Sequence, residues 1–133
     1  LMEGSFDLAG YRGQVIKVTA YGLKFLPPGN YRIIYMIRDL EEVLKSMQKM
    51  GAEVEPKRDR VLYEKLNKFC LALMRDRPDM EYLTVNYADL IANPREEIER
   101  IRAFLNVPLD VKSAMGAVDA SLYRNRAREQ GAK

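Results

Sequence analysis

Histidine is absent from the 133 residues of this chain, and cysteine occurs once, as Cys70. Structural zinc sites draw their ligands chiefly from those two residue types, so a zinc-built fold is excluded and no metal is expected. A lone thiol forms no internal disulfide, which fits a reducing compartment. Long apolar runs are missing too, so no segment spans the roughly 30 Å hydrocarbon core of a bilayer. The N-terminus lacks the basic-then-apolar pattern of a secretory signal. We therefore expect a cytoplasmic protein with no membrane partner. Internal repeats and low-complexity tracts are also lacking, apart from a polar tail. What remains is a composition of 47% hydrophobic and 31% charged residues, that of a single globular domain. Its formal charge of +3 is accounted for by residues 124–133, where Arg124, Arg126, Arg128 and Lys133 stand against Glu129. The body is neutral, so no nucleic-acid partner is expected, although a local anion site is compatible with it. The opening Leu1-Met2 reads as a trimmed or partial piece of a longer product.

Short elements alternate along the chain. Val15-Ile16-Lys17-Val18-Thr19 is a β-branched run that reads as a strand, and Leu26-Pro27-Pro28-Gly29-Asn30 breaks the chain behind it. The nearly continuous apolar run Tyr31–Ile37 reads as a strand covered on both faces. Asp39, with Glu42 three residues on, predicts a capped helix carrying Leu40, Val43, Leu44, Met47 and Met50 as far as Gly51. Residues 51–59 read as a surface loop with Pro56. A helix follows from about Arg60 to Arg77, with Leu62, Leu66, Phe69, Cys70 and Leu73 on one face. Tyr82–Tyr87 reads as a third strand. Asn93-Pro94, with Glu96, opens a helix ending near Leu105, and Asp110 opens a short one to about Val118. Strands alternating with helices and no hairpin signal predict an α/β fold, a mostly parallel sheet in a three-layer arrangement flanked by helices. Three strands make a thin sheet, which implies a missing strand or a partner chain that pairs with an exposed edge, as in a homodimer.

In open parallel sheets ligands bind beyond the carboxyl ends of the strands. Arg38 stands at such an end, beside a helix N-terminus whose amides favour an anion. Ser46, eight residues on, could add a hydroxyl to a phosphate cradle, since bidentate arginine matches phosphate oxygens. The same spacing also fits an Arg38 paired with Asp39 and a Ser46 that is an ordinary surface residue. Tyr87 reads as a ring packed at a strand end with its hydroxyl in water. Lys17 reads as a strand lysine reaching to solvent. Met36, Met47, Met50, Met74 and Met115 read as gap-filling core residues, and Cys70 as a small buried hydrophobe.

The run Tyr31-Arg32-Ile33-Ile34-Tyr35-Met36-Ile37-Arg38-Asp39-Leu40, continuing to Ser46, resembles the segment with which the sulfotransferase family grips its donor. In that family a strand-ending arginine and a serine eight residues later hold the 3′-phosphate of 3′-phosphoadenosine 5′-phosphosulfate (PAPS). Leu40 stands where proline is common. Downstream, Tyr82–Pro94 and the helix to Phe104-Leu105 resemble the family's Tyr-Glu-Asp-Leu strand end. Tyr87 falls where the pattern places a tyrosine near the adenine, with Ala88 in place of the usual glutamate. The resemblance runs from about Val15 to Arg126. It implies that Lys17 and Thr19 occupy the catalytic strand positions, with Thr19 where the family has a histidine base. Threonine is no general base near neutral pH. It implies too that Arg124 or Arg126 reaches the 3′-phosphate, whereas a frayed basic end is the simpler reading of the tail. The family's loop of glycine, hydroxyl residues and lysine, which holds the 5′-phosphosulfate, has no counterpart in Leu1–Tyr21.

The expectation is a partial, P-loop-type sulfotransferase-like domain over residues 1–123 followed by a basic tail over 124–133. Its cofactor-binding residues would be Arg38, Ser46, Tyr87, Arg124 and Arg126, with PAPS as co-substrate and a hydroxyl or amine acceptor, a small molecule or a carbohydrate. The chain by itself is expected to be inactive or very weak. The competing expectation is a non-catalytic interaction module that self-associates through its sheet edge. A nucleotide-binding domain of another P-loop-like transferase family would need a phosphate loop that the sequence does not spell.

Overall fold

Proline, glycine and short polar residues decide where the elements begin and end. The computed structural model describes residue 10 and residues 13–118. Its elements are a 3-10 helix (Ala20–Phe25), β1 (Tyr31–Ile37), α1 (Leu40–Lys49), α2 (Pro56–Asp76), β2 (Met80–Asn86), α3 (Tyr87–Ala92), α4 (Pro94–Leu105) and α5 (Val111–Ala117). Asp39 caps α1 as expected, its carboxylate accepting from the Glu42 amide at 3.2 Å. Gly51 follows that helix at φ 87°, a left-handed conformation open to glycine without penalty.

α2 starts earlier than the sequence suggested. Pro56 is its first residue, where a missing N–H is no loss. Glu55 caps it, accepting from the amides of Lys57 at 3.2 Å and Arg58 at 2.7 Å. Asp59 reaches back to accept from the Glu55 amide at 2.8 Å. Of the residues expected on the inward face of α2, Leu66, Cys70 and Leu73 meet the core, whereas Leu62 and Phe69 do not. Cys70 and Met74 are buried at 0% and 1% exposure, while Leu62 and Phe69 stand 50% and 49% exposed.

β1 and β2 pair in parallel over their full length, from Tyr31 opposite Met80 to Ile37 opposite Asn86. Two helices, α1 and α2, make the crossover that a parallel pair needs. On one face Tyr35 and Met80 join Leu23, Leu26, Cys70 and Met74 in the core, with Tyr31, Ile33 and Ile37 packed against it. The alternate residues point to the opposite face. There Arg32 donates to the carbonyl of Leu105 at 2.6 Å, and Arg100 of α4 donates to the Thr84 carbonyl at 3.3 Å. Val85 and Ile98 are buried. A parallel sheet between helices is the α/β architecture the sequence predicts.

The expected first strand does not form. Val15–Thr19 carries no regular structure, Val15 is 95% exposed, and the sheet has two strands among the described residues. β-branched residues favour a strand only where a neighbour supplies a ladder. The expected third strand is β2, shifted to Met80–Asn86, and Tyr87 opens α3 instead of ending the strand. Pro94 opens α4 as expected, but Asn93, the single residue between α3 and α4, makes no side-chain cap. α4 closes on Asn106 in the left-handed region at φ 54°. No described helix is long and apolar enough to cross a membrane. The tail 124–133 lies outside the described residues.

Candidate functional site

Parallel pairing in register decides what meets at the carboxyl edge of the sheet. The last paired residues are Ile37 and Asn86, so the next residue of each strand, Arg38 and Tyr87, leaves the ladder side by side. The Arg38 guanidinium carbon lies 4.6 Å from the centroid of the Tyr87 ring, a cation–π contact. Both residues are half-buried, and Arg38 Nε is buried as an atom. Two residues singled out separately in the sequence are thus one structural unit.

Each strand then turns directly into a helix. Asp39 caps α1, and the Asn86 side chain caps α3, accepting from the amides of Ala88 at 2.9 Å and Asp89 at 3.4 Å. The Asp39 carboxylate is thereby committed to the α1 backbone. Ser46 lies half-buried in α1, six residues beyond its first, or about 9 Å along the axis. Asp39, Glu42 and Ser46 follow at spacings of three and four, so Ser46 shares the helix face that begins at the strand end. The same face carries Glu42, only 3% exposed. An anion held here needs the positive charge of Arg38 beside it.

The other sequence candidates sit elsewhere. Lys17 is exposed in the irregular stretch before the 3-10 helix. Thr19 caps that 3-10 helix, its hydroxyl accepting from the Gly22 amide at 3.3 Å. Neither residue lies on a strand. Arg124 and Arg126 lie outside the described residues.

A shallow depression lined by Leu26, Pro28, Gly29, Arg77, Pro78 and Asp79 lies at the opposite, amino end of the strands. A polar knot already fills its wall. Arg77 donates to Asp79 at 2.9 Å and to the Leu26 carbonyl at 2.9 Å, and Asp79 accepts from the Gly29 amide at 3.0 Å. Its groups satisfy one another, as in a structural tie. Under the sheet, Tyr35 donates to Asn67 Oδ1 at 2.6 Å, and burial pushes both the Tyr35 phenol and the Cys70 thiol above their usual ranges. Cys70 is a packed thiol and no nucleophile.

A family model described as the sulfotransferase family matches residues 22–111. The chain belongs to the sulfotransferase family. Neither curated proteins nor solved structures return a match. The stretch of this sulfotransferase-family chain that matches contains Arg38, Ser46 and Tyr87; Lys17 and Thr19 precede it, and Arg124 and Arg126 follow it.

Sequence reasoning missed the contact between Arg38 and Tyr87 and the helix that Tyr87 opens. The available signal was that both residues end a strand run and directly precede a helix cap or follow one. Seeing them as a pair required the register.

Proposed function

We propose that the chain forms the 3′-phosphate and adenine side of a PAPS site, in a sulfotransferase that passes a sulfuryl group to a hydroxyl or amine acceptor. In that reaction the acceptor's lone pair forms a bond to sulfur. The bond from sulfur to the bridging 5′-phosphate oxygen breaks, adenosine 3′,5′-bisphosphate leaves with the electron pair, and the acceptor's proton passes to water. Such transfers depend on positioning and on cations that offset charge on the leaving group. Arg38 would grip the 3′-phosphate with its planar N–H fork, and Ser46 would add a hydroxyl from the same face of α1. Tyr87 would lie against the adenosine. Arg124 or Arg126 would add a second guanidinium from the tail. Lys17 is the remaining cation at the family's catalytic positions. Thr19 supplies no base, and its hydroxyl oxygen already accepts from Gly22.

The observation that carries this reading is the junction of Arg38 and Tyr87 at the carboxyl ends of adjacent parallel strands, where the fold class puts its ligands. The 133 residues by themselves are expected to bind nucleotide and not to turn over, because Leu1–Tyr21 spells no phosphate loop. Calorimetric titration with adenosine 3′,5′-bisphosphate tests the assignment. Arg38→Ala should weaken binding by about ten- to a hundredfold, as loss of a charge-assisted hydrogen bond worth roughly 1.5–3 kcal/mol requires. Equal heats from the two proteins would remove Arg38 from the site.

A second reading rests on the two-stranded sheet, each strand of which has one neighbour among the described residues. It is a non-catalytic module in which two copies pair edge to edge.

A further inference from the structure

We infer that Tyr87 is a positioning residue for Arg38, and that through this contact it sets how strongly the site prefers nucleotides bearing a 3′-phosphate. The inference rests on the donor-site reading above and changes the role of Tyr87 within it. An arginine side chain is long and rotamer-rich, and an unsupported one loses freedom when it fixes an anion. Here the guanidinium carbon is held 4.6 Å from the centroid of a ring whose own backbone is pinned on both sides. On one side is the last rung of the β ladder, Ile37 opposite Asn86; on the other is the first turn of α3, capped by Asn86. The ring is therefore a fixed platform. A cation–π contact draws on the guanidinium's charge, whereas phosphate recognition uses the fork of N–H donors, so both can operate on one arginine. The ring area that Arg38 covers is closed to an adenine. A purine would have to take the remaining ring surface or the hydroxyl.

The test compares adenosine 3′,5′-bisphosphate with adenosine 5′-monophosphate, which differ only in the 3′-phosphate. Affinities are measured by calorimetry on the full chain and its variants. Tyr87→Leu should lower the ratio of the two affinities by roughly two- to thirtyfold, the range a cation–π contact spans. Tyr87→Phe keeps the ring and should restore the ratio. In an Arg38→Ala background, Tyr87→Leu should leave the ratio where Arg38→Ala put it. A tyrosine that serves only the base would weaken both ligands in parallel and hold the ratio constant, which would overturn the inference. A wild-type chain that does not distinguish the two ligands would instead overturn the donor-site reading. The Arg38 Nε–H resonance separates the two failures. It should be shifted by the ring current in the wild type and in Tyr87→Phe, and return to an ordinary position in Tyr87→Leu. A resonance indifferent to all three side chains removes the contact itself.

Discussion

Arg77 and Asp79 carry the clearest electrostatic consequence at the scale of single residues. The Arg77 guanidinium, hydrogen-bonded to Asp79, holds that carboxyl below its usual range, and the Gly29 amide adds to the effect. A carboxylate with a depressed folded-state value stabilises the fold above the unfolded-state value. It loses that contribution as pH falls through the folded one. Asp79→Asn should therefore lower the melting temperature at pH 7, and the gap from wild type should close below about pH 4, near the ordinary aspartate range. Melting both proteins at several pH values by circular dichroism checks this; a gap of constant size would mean the tie is not electrostatic. Residue chemistry was the most legible level in the sequence. Arg38, Ser46 and Tyr87 stand out by type and place along the chain, and Asp39 by its spacing to Glu42. Thr19 was misjudged because a hydroxyl at the start of a 3-10 helix and one in a strand look the same when the next glycine is not read as its hydrogen-bond donor.

Elements were legible where both of their ends carried punctuation. β1 and α1 lie between Gly29-Asn30 and Gly51, with Asp39 dividing them, and they fall within a residue of the expected places. The helix α2 began at a proline that could be read either as a loop residue or as a first helical position. The choice depended on Glu55 folding back onto two amides, which composition does not reveal. Two residues of its inward face were misread for a related reason. Leu62 and Phe69 fit a helical stripe, but the sheet below α2 is narrow and meets the side that carries Leu66, Cys70, Leu73 and Met74. Met74→Ala should cost about 2–5 kcal/mol by opening a cavity, whereas Leu62→Ala, on the exposed side, should stay within about 0.5 kcal/mol. Urea denaturation of the two variants separates the faces; equal losses would mean that Leu62 is covered in solution.

The whole molecule was the least legible scale, because sheet width is a property of partners and not of any one segment. The apolar character of β1 implied cover on both faces; α2 covers the face that carries Tyr35, whereas on the other face Arg32 and Met36 stay exposed. The Val15–Thr19 run carries the same β-branched character and stays outside the sheet. The outcome is a pair of strands with no further strand along their outer sides among the described residues, the kind of edge that recruits another strand. Two processes could then stabilise the fold, and mass action distinguishes them. A nucleotide that binds only the folded state adds about 2.7 kcal/mol at a hundredfold excess over its Kd, and the gain is independent of protein concentration. Pairing of two copies raises stability with protein concentration and is indifferent to nucleotide. We expect the melting temperature to climb with the logarithm of adenosine 3′,5′-bisphosphate concentration, at a solution mass that the nucleotide does not change. A mass of two chains, with melting that follows protein concentration and ignores the nucleotide, would instead make edge pairing the purpose of this scaffold and leave Arg38 and Tyr87 as a structural clamp between its strands.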